Sequence, residues 1–336
     1  MEEKNSTPDF AGLRNADTIT VCKAFYESYG QEMIHRKFPE YESRIAVGLA
    51  GEGSECFGFD DAISRDHDFG LGFCMWLEKT DYDRIGSVLQ EEYQRLLETE
   101  GKEFSRNVWG ESVSLLNPRL GSRRGVMEIW QFYGGILKVS TDPEVLSGKH
   151  YWFYAEPRWL CTAVNGQVFR DDLGTFSSFR KEIEAFYPEK FFRYKLAEQL
   201  HLFSHGGQSN YPRMMARGDL AAGRLCIDQT LRSAMETAYL LAKKYPPYYK
   251  WMFRGLQNLP VLKELPPLLE KLAMLTPDPE IWKGITYSSL KVFKQDPVVA
   301  VIEEIAVLLA EEMNRQGLIR GTDPFLESYV AGLTQA

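Results

Sequence analysis

Two short stretches in the first quarter of the chain carry residue types suited to phosphate and metal chemistry. They are Gly48-Leu-Ala-Gly-Glu-Gly-Ser-Glu and Ser64-Arg-Asp-His-Asp-Phe-Gly. On a strand, successive side chains face opposite ways, so Asp66 and Asp68 project from one face and His67 and Phe69 from the other. Two neighbouring carboxylates repel each other, and a divalent cation removes that repulsion. Mg²⁺ takes oxygen ligands, commonly one or two carboxylates together with substrate phosphates. A pair about 6–7 Å apart by strand rise can share two ions that clamp attacking and leaving oxygens. Gly51 and Gly53 let the backbone turn tightly and approach a ligand without a Cβ in the way. Exposed N–H groups in such a turn form an anion-binding concavity, and Ser54 adds a hydroxyl donor.

Either half alone reads as a surface turn or a solvated strand end; together they are more specific. Ser54 is followed twelve positions later by Asp66, and Asp-x-Asp is followed by the apolar Phe69. This Gly-Ser…Asp-x-Asp string resembles the signature of the DNA polymerase β-like nucleotidyltransferase superfamily. The fuller string Gly58-Phe-Asp-Asp-Ala-Ile-Ser-Arg-Asp-His-Asp-Phe-Gly resembles a group of bacterial nucleotidyltransferase-like proteins with a helical C-terminal domain of unknown function. Arg217-Gly-Asp and Tyr245-Pro-Pro-Tyr-Tyr-Lys-Trp extend the resemblance, which covers residues 20 to 260. The layout is also similar to that of aminoglycoside nucleotidyltransferases, a catalytic domain followed by a helical one.

The resemblance implies a mixed sheet with flanking helices, Mg²⁺-dependent attack on the α-phosphate of an NTP, and pyrophosphate release. Asp66 and Asp68 match the metal ligands, and Ser54 matches the triphosphate-binding serine. Gly53, Ser54, Arg65 and Lys250 are the nucleotide-binding candidates. Lys250 follows two tyrosines and precedes Trp251, so its ammonium can hold a phosphate while a ring stacks on the base. The superfamily often adds a third carboxylate on a later strand, as metal ligand or general base. Glu128 is the candidate, with Asp142 and Glu156 as weaker alternatives. His67 departs from the pattern, which has an apolar residue there; it reads as a neutral, packed histidine.

These residues need elements to position them. Ala16 to Phe38 reads as an amphipathic helix, with Ile19, Cys22, Phe25, Tyr26 and Tyr29 at helical spacing. Arg44–Leu49, Asp68–Leu77 and Gly125–Phe132 read as strands, and Asp81–Thr99 as a second amphipathic helix. Later periodicities predict helices over Phe179–Phe203, Asp219–Lys244, Tyr248–Leu256, Pro266–Leu275 and Pro297–Gln316, punctuated by Pro and Gly. Asp219 is a natural N-cap for its helix. The fold class is therefore α+β: a small mixed-sheet nucleotidyltransferase domain over residues 1–160, then an α-helical bundle over 161–336.

Composition narrows the partners. The chain has 336 residues, 44% hydrophobic and 26% charged, which is ordinary for a soluble globular protein. The apolar run Val298–Leu309 is broken by Glu303 and Glu304, too short to span a bilayer. The polar, acidic N-terminus does not read as a signal peptide, and five scattered cysteines without a CxxC pair predict reduced thiols in the cytoplasm. A net charge of −8 argues against an extended nucleic-acid surface, with only one small basic group at Arg119, Arg123 and Arg124. The expected partners are an NTP, Mg²⁺ (one or two ions) and a small-molecule hydroxyl acceptor, neutral or cationic. A non-catalytic nucleotide-binding module and an AMP-transferring enzyme acting on protein are the alternatives. His201 and His205, four apart, lack the glutamate of a zincin motif and read as a chance pair.

Overall fold

The computed structural model describes residues 10–61, 63–64, 70–110, 123–148, 151–288 and 291–335. It has two compact units, Met1–Ala185 and Phe186–Ala336. The first holds a mixed sheet and the second is helical, so the chain is α+β.

The sheet has four strands: β1 (Ala46–Leu49), β2 (Cys74–Leu77), β3 (Gly125–Glu128) and β4 (Gln167–Arg170), in the order β3-β2-β1-β4. β1 is antiparallel to both β2 and β4, while β2 and β3 run parallel. The central strands Ala-Val-Gly-Leu and Cys-Met-Trp-Leu are buried throughout, which is why they are continuous apolar runs rather than alternating ones. Two strand expectations are corrected. β2 starts at Cys74 rather than Asp68, and Gly70–Phe73 lie outside it. β3 stops at Glu128 rather than Phe132, because Glu128 turns the chain into a helix. The fourth strand, which the sequence reading did not name, follows the Asn165-Gly166 turn.

Among the helices of this unit, α1 (Thr18–Phe25) is capped by Asp17, whose side chain accepts the Thr20 N–H. It continues through a wider turn, Tyr26–Gly30, into Gln31–Lys37. Next come α2 (Lys79–Leu96), α3 (Lys102–Trp109), α4 (Ile129–Leu137) and α5 (Thr175–Glu184). The core joins sheet to helices through rings: Trp76 of β2 stacks on Phe176 of α5 at 3.9 Å, and Tyr133 of α4 donates to the Phe176 carbonyl at 3.0 Å. These contacts place β4 and α5 with the sheet. The first compact unit therefore runs to Ala185. The same point splits the expected Phe179–Phe203 helix, since Phe186 takes a left-handed φ of 70° and Pro188 restarts the chain into α6 (Glu189–Phe203).

In the second unit, α7 (Leu220–Leu241) packs with α6, α8 (Tyr249–Leu256), α9 (Leu265–Met274) and α10 (Pro297–Arg315). Asp296 caps α10 and is fully buried; it accepts from Val298 N–H, the Tyr211 hydroxyl and the Trp282 indole N–H, so its carboxylate is satisfied on every side. Asp219 caps α7, accepting the Ala222 N–H at 3.0 Å. Asp219→Ala is expected to lower stability by about 1 kcal/mol, read as a reduced midpoint in urea with an unchanged slope. Among the described residues no helix is long and apolar enough to cross a membrane.

Candidate functional site

Sheet topology brings the first half of the motif and Gly70, the last residue of the second, to one end. β1 ends at Leu49, and its neighbour Gly48 pairs with Cys74, the first residue of antiparallel β2. The turn that leaves β1 and the segment that enters β2 therefore meet at the same edge of the sheet. In that turn Gly51 and Gly53 have φ of 109° and 133°, values that a side chain resists. A Cβ on Gly53 would also lie 2.5 Å from the Glu55 carboxylate.

The turn is held rigidly from behind. Asn165 accepts the Gly51 N–H at 2.8 Å through Oδ1 and donates to the Gly51 carbonyl at 2.7 Å through Nδ2. Next to it, the Gly166 N–H donates to the Cys56 carbonyl at 2.7 Å. Ser54 begins a short 3₁₀ turn, Glu55–Phe57, and its carbonyl accepts from Phe57 and Phe59. Downstream, Asp60 accepts from both the N–H and the hydroxyl of Thr18, tying the loop to the start of α1. Asp61 accepts from the Ile63 and Ser64 N–H groups.

Arg124 joins the halves. Its guanidinium is buried, pairs with Glu55 at 3.0 Å and donates to the Gly70 carbonyl. One side chain thus spans from the residue after Ser54 to the residue that leads out of the Asp66–Asp68 segment. Arg123 pairs with Glu52 at 3.5 Å. Of the basic group noted in the sequence, Arg124 is internal rather than a surface phosphate contact, and Arg119 lies outside the described residues.

Of the candidates, the structure brings Gly53 and Ser54 together in the turn. Arg65, Asp66 and Asp68 lie outside the described residues, as does His67. Elsewhere among the described residues no group of three or more His, Cys, Asp or Glu is arranged to hold a metal. Glu128 does not join the turn. It pairs with Leu77, about 10 Å along β2 from Cys74 by strand rise. Its two carboxylate oxygens accept the N–H groups of Trp130 (3.0 Å) and Gln131 (2.6 Å), so it caps α4 and closes the helix's free donors. Asp142 is likewise a cap, accepting the Glu144 N–H, and Glu156 pairs with Arg158. Lys250 belongs to the second unit, exposed, with its ammonium 5.0 Å from the Trp251 ring. His201 faces Glu327 at 3.0 Å and His205 lies beside Asn210, so each has its own partner.

An open cavity of about 320 Å³ lies alongside the turn. Ala50, Gly51 and Glu52 line it together with Arg123, Lys138, Val126, Met127, Phe132, Gln131 and Tyr82. Its size falls in the range of small-molecule sites. Arg124, Asn165, Lys138 and Gln131 were invisible as site residues in the sequence. Only the Asn-Gly dipeptide at 165–166 carried a local signal, that of a turn.

The cysteines beside this site are unreactive by construction. Burial pushes the Cys74 thiol up to about 12 and raises Cys22 and Cys56 as well, against the partial relief of Arg124. Cys161 and Cys226 are only half-buried. A disulfide reagent added to the folded protein at neutral pH is expected to modify Cys161 and Cys226 first, with Cys22, Cys56 and Cys74 reacting only on unfolding; mass spectrometry of the labelled peptides reads the order.

The fold is thus a mixed-sheet unit with a glycine turn and adjoining cavity at one sheet end, followed by a helical unit. Residues 152–252, from the end of the first unit into the second, match a family described as a domain of unknown function (DUF4037). No curated protein and no solved structure matches the chain.

Proposed function

We propose that the first unit binds an NTP with Mg²⁺ at the Gly51–Ser54 turn and transfers its NMP to a hydroxyl of a small-molecule acceptor, releasing pyrophosphate. The observation that supports this most is the left-handed Gly51–Gly53 turn, fixed at the sheet end where Gly70–Phe73 lead into β2. Backbone N–H groups of such a turn suit phosphate oxygens. The glycines fit that task, since side chains there would be strained or would collide with Glu55. Asp66 and Asp68 would hold the Mg²⁺, which neutralises charge on the phosphates when bound. What the chain's own residues contribute is orientation: Asn165 fixes the turn and Arg124 fixes the entry to β2, so catalysis rests on positioning and charge stabilisation.

The commitment of Glu128 to capping α4 favours one alternative, a nucleotide-binding module without turnover, because no third carboxylate is assigned. One assay separates the readings. The full chain is incubated with each NTP and Mg²⁺ across an acceptor library, and both NTP binding and pyrophosphate are followed. Transfer predicts acceptor-dependent pyrophosphate. Mg²⁺-dependent binding without pyrophosphate supports the module, and neither signal refutes both.

A further inference from the structure

We infer that the cavity beside the turn holds its nucleotide in one direction, phosphates at the Lys138 end and an adenine base at the Gln131 end, with Gln131 reading the base. This rests on the nucleotide reading above and adds to it the base and the residue that selects it.

The cavity's two ends differ in chemistry, and the topology shows which residues belong to which end. Helix α4 leaves the far end of β3 and runs back toward the turn. Two of its side chains reach Gly51, Phe132 by the length of its ring and Ile136 from the last turn: a Cβ there would meet the Phe132 ring at 3.4 Å and Ile136 at 3.6 Å. Lys138 follows directly, capping α4 with a left-handed φ of 58°. This end carries the glycine turn, Lys138 and the Arg123–Glu52 pair. Of the charged side chains that line the cavity here, Arg123 and Lys138 are cations and Glu52 is an anion, and the turn adds N–H donors, which suits an anion.

At the other end the lining side chains are uncharged. Gln131 sits in the first turn of α4, where its N–H is bonded to Glu128 while its side chain lines the cavity. Tyr82 comes from the first turns of α2. That helix runs back along β3, so that Gln90 accepts the Val126 N–H at 2.8 Å, and Tyr82, two turns earlier, falls toward the Glu128 end. Met127 completes an apolar wall. From Gln131 to Lys138 is seven helical residues, about 10 Å by helical rise. A nucleotide extended along α4 therefore meets cations and backbone donors at one end and an aromatic ring, a thioether and one amide at the other.

Stacking on Tyr82 accepts any base, because every base has a π-face. Discrimination falls to Gln131, whose side chain offers one donor group and one acceptor in fixed geometry. That pair matches the N6 donor and N7 acceptor of adenine in a bidentate contact.

The test is equilibrium binding by calorimetry of ATP, GTP, CTP, UTP and inorganic tripolyphosphate to the full chain with Mg²⁺. The expected result is ATP tighter than the other three NTPs by about tenfold or more. Gln131→Ala should bring the four within about threefold while leaving tripolyphosphate affinity unchanged. The variant is suited to the purpose, since Gln131 is an exposed helical position and alanine favours helix. Four equal affinities in the parent protein, or an ATP preference that survives Gln131→Ala, overturns the inference and leaves the nucleotide reading standing. Absence of binding by every NTP and by tripolyphosphate overturns both.

Discussion

Replacing Asp66 and Asp68 together with alanine is expected to abolish nucleotidyl transfer while leaving the protein folded. Two carboxylates two residues apart repel one another without a cation, so removing both relieves that repulsion in the apo chain. A bound Mg²⁺ contributes several kcal/mol of charge stabilisation in phosphoryl transfer. Losing that amounts to at least about a thousandfold in rate, since each 1.36 kcal/mol is a factor of ten. The measurement pairs pyrophosphate release with a thermal melt. A double variant that melts like the parent and turns over below one-thousandth of its rate is the expected outcome. Retained turnover would remove both aspartates from the chemistry. The single variants should be nearly as inactive as the double, because residues that act as a unit are not additive.

The second large effect is at Arg124. Its guanidinium is 4% exposed and its partner Glu55 12%, and it also satisfies the Gly70 carbonyl. Arg124→Met leaves Glu55 without its cation in a largely buried setting. Breaking a buried pair from one side lowers stability by about 3–5 kcal/mol. Adding Glu55→Gln should recover part of that loss, because both charges are then gone. Chemical denaturation of the parent, both single variants and the double closes the cycle. Equal stability of Arg124→Met and the parent would show that the clasp contributes nothing to the fold. In the folded fraction, turnover should also fall, since small misplacement of reacting groups is costly to rate. Arg124→Lys keeps the charge but not the planar fork, and should lie between the parent and Arg124→Met.

The sequence by itself determined the class of the fold and several local turns and caps. Strand β1 was legible because Ala46–Leu49 is a continuous apolar run ending in glycines, and the helices of the second unit because their apolar positions recur at helical spacing between prolines. Gly51 and Gly53 declared a turn, and Asp219 declared a cap, each through a backbone requirement confined to a few residues. The pairing of Ser54 with Asp66 and Asp68 was likewise a matter of spacing.

The tertiary structure decided what spacing could not. Glu128 sits in a strand-like run, and only its bonds to Trp130 and Gln131 reveal that it ends the strand and starts a helix. Arg124 looked like part of a basic patch; its burial and its bonds to Glu55 and Gly70 are set by residues 69 and 54 positions away. Asn165 clasps Gly51 across 114 residues, and β4 with it extends the first unit to Ala185. The Glu128 cap is local but hidden in a strand-like apolar run, whereas the Arg124 and Asn165 bonds depend on contacts between segments distant in the chain. Periodicity and local propensity carry no record of such contacts, because they report only on neighbours within a turn or a strand.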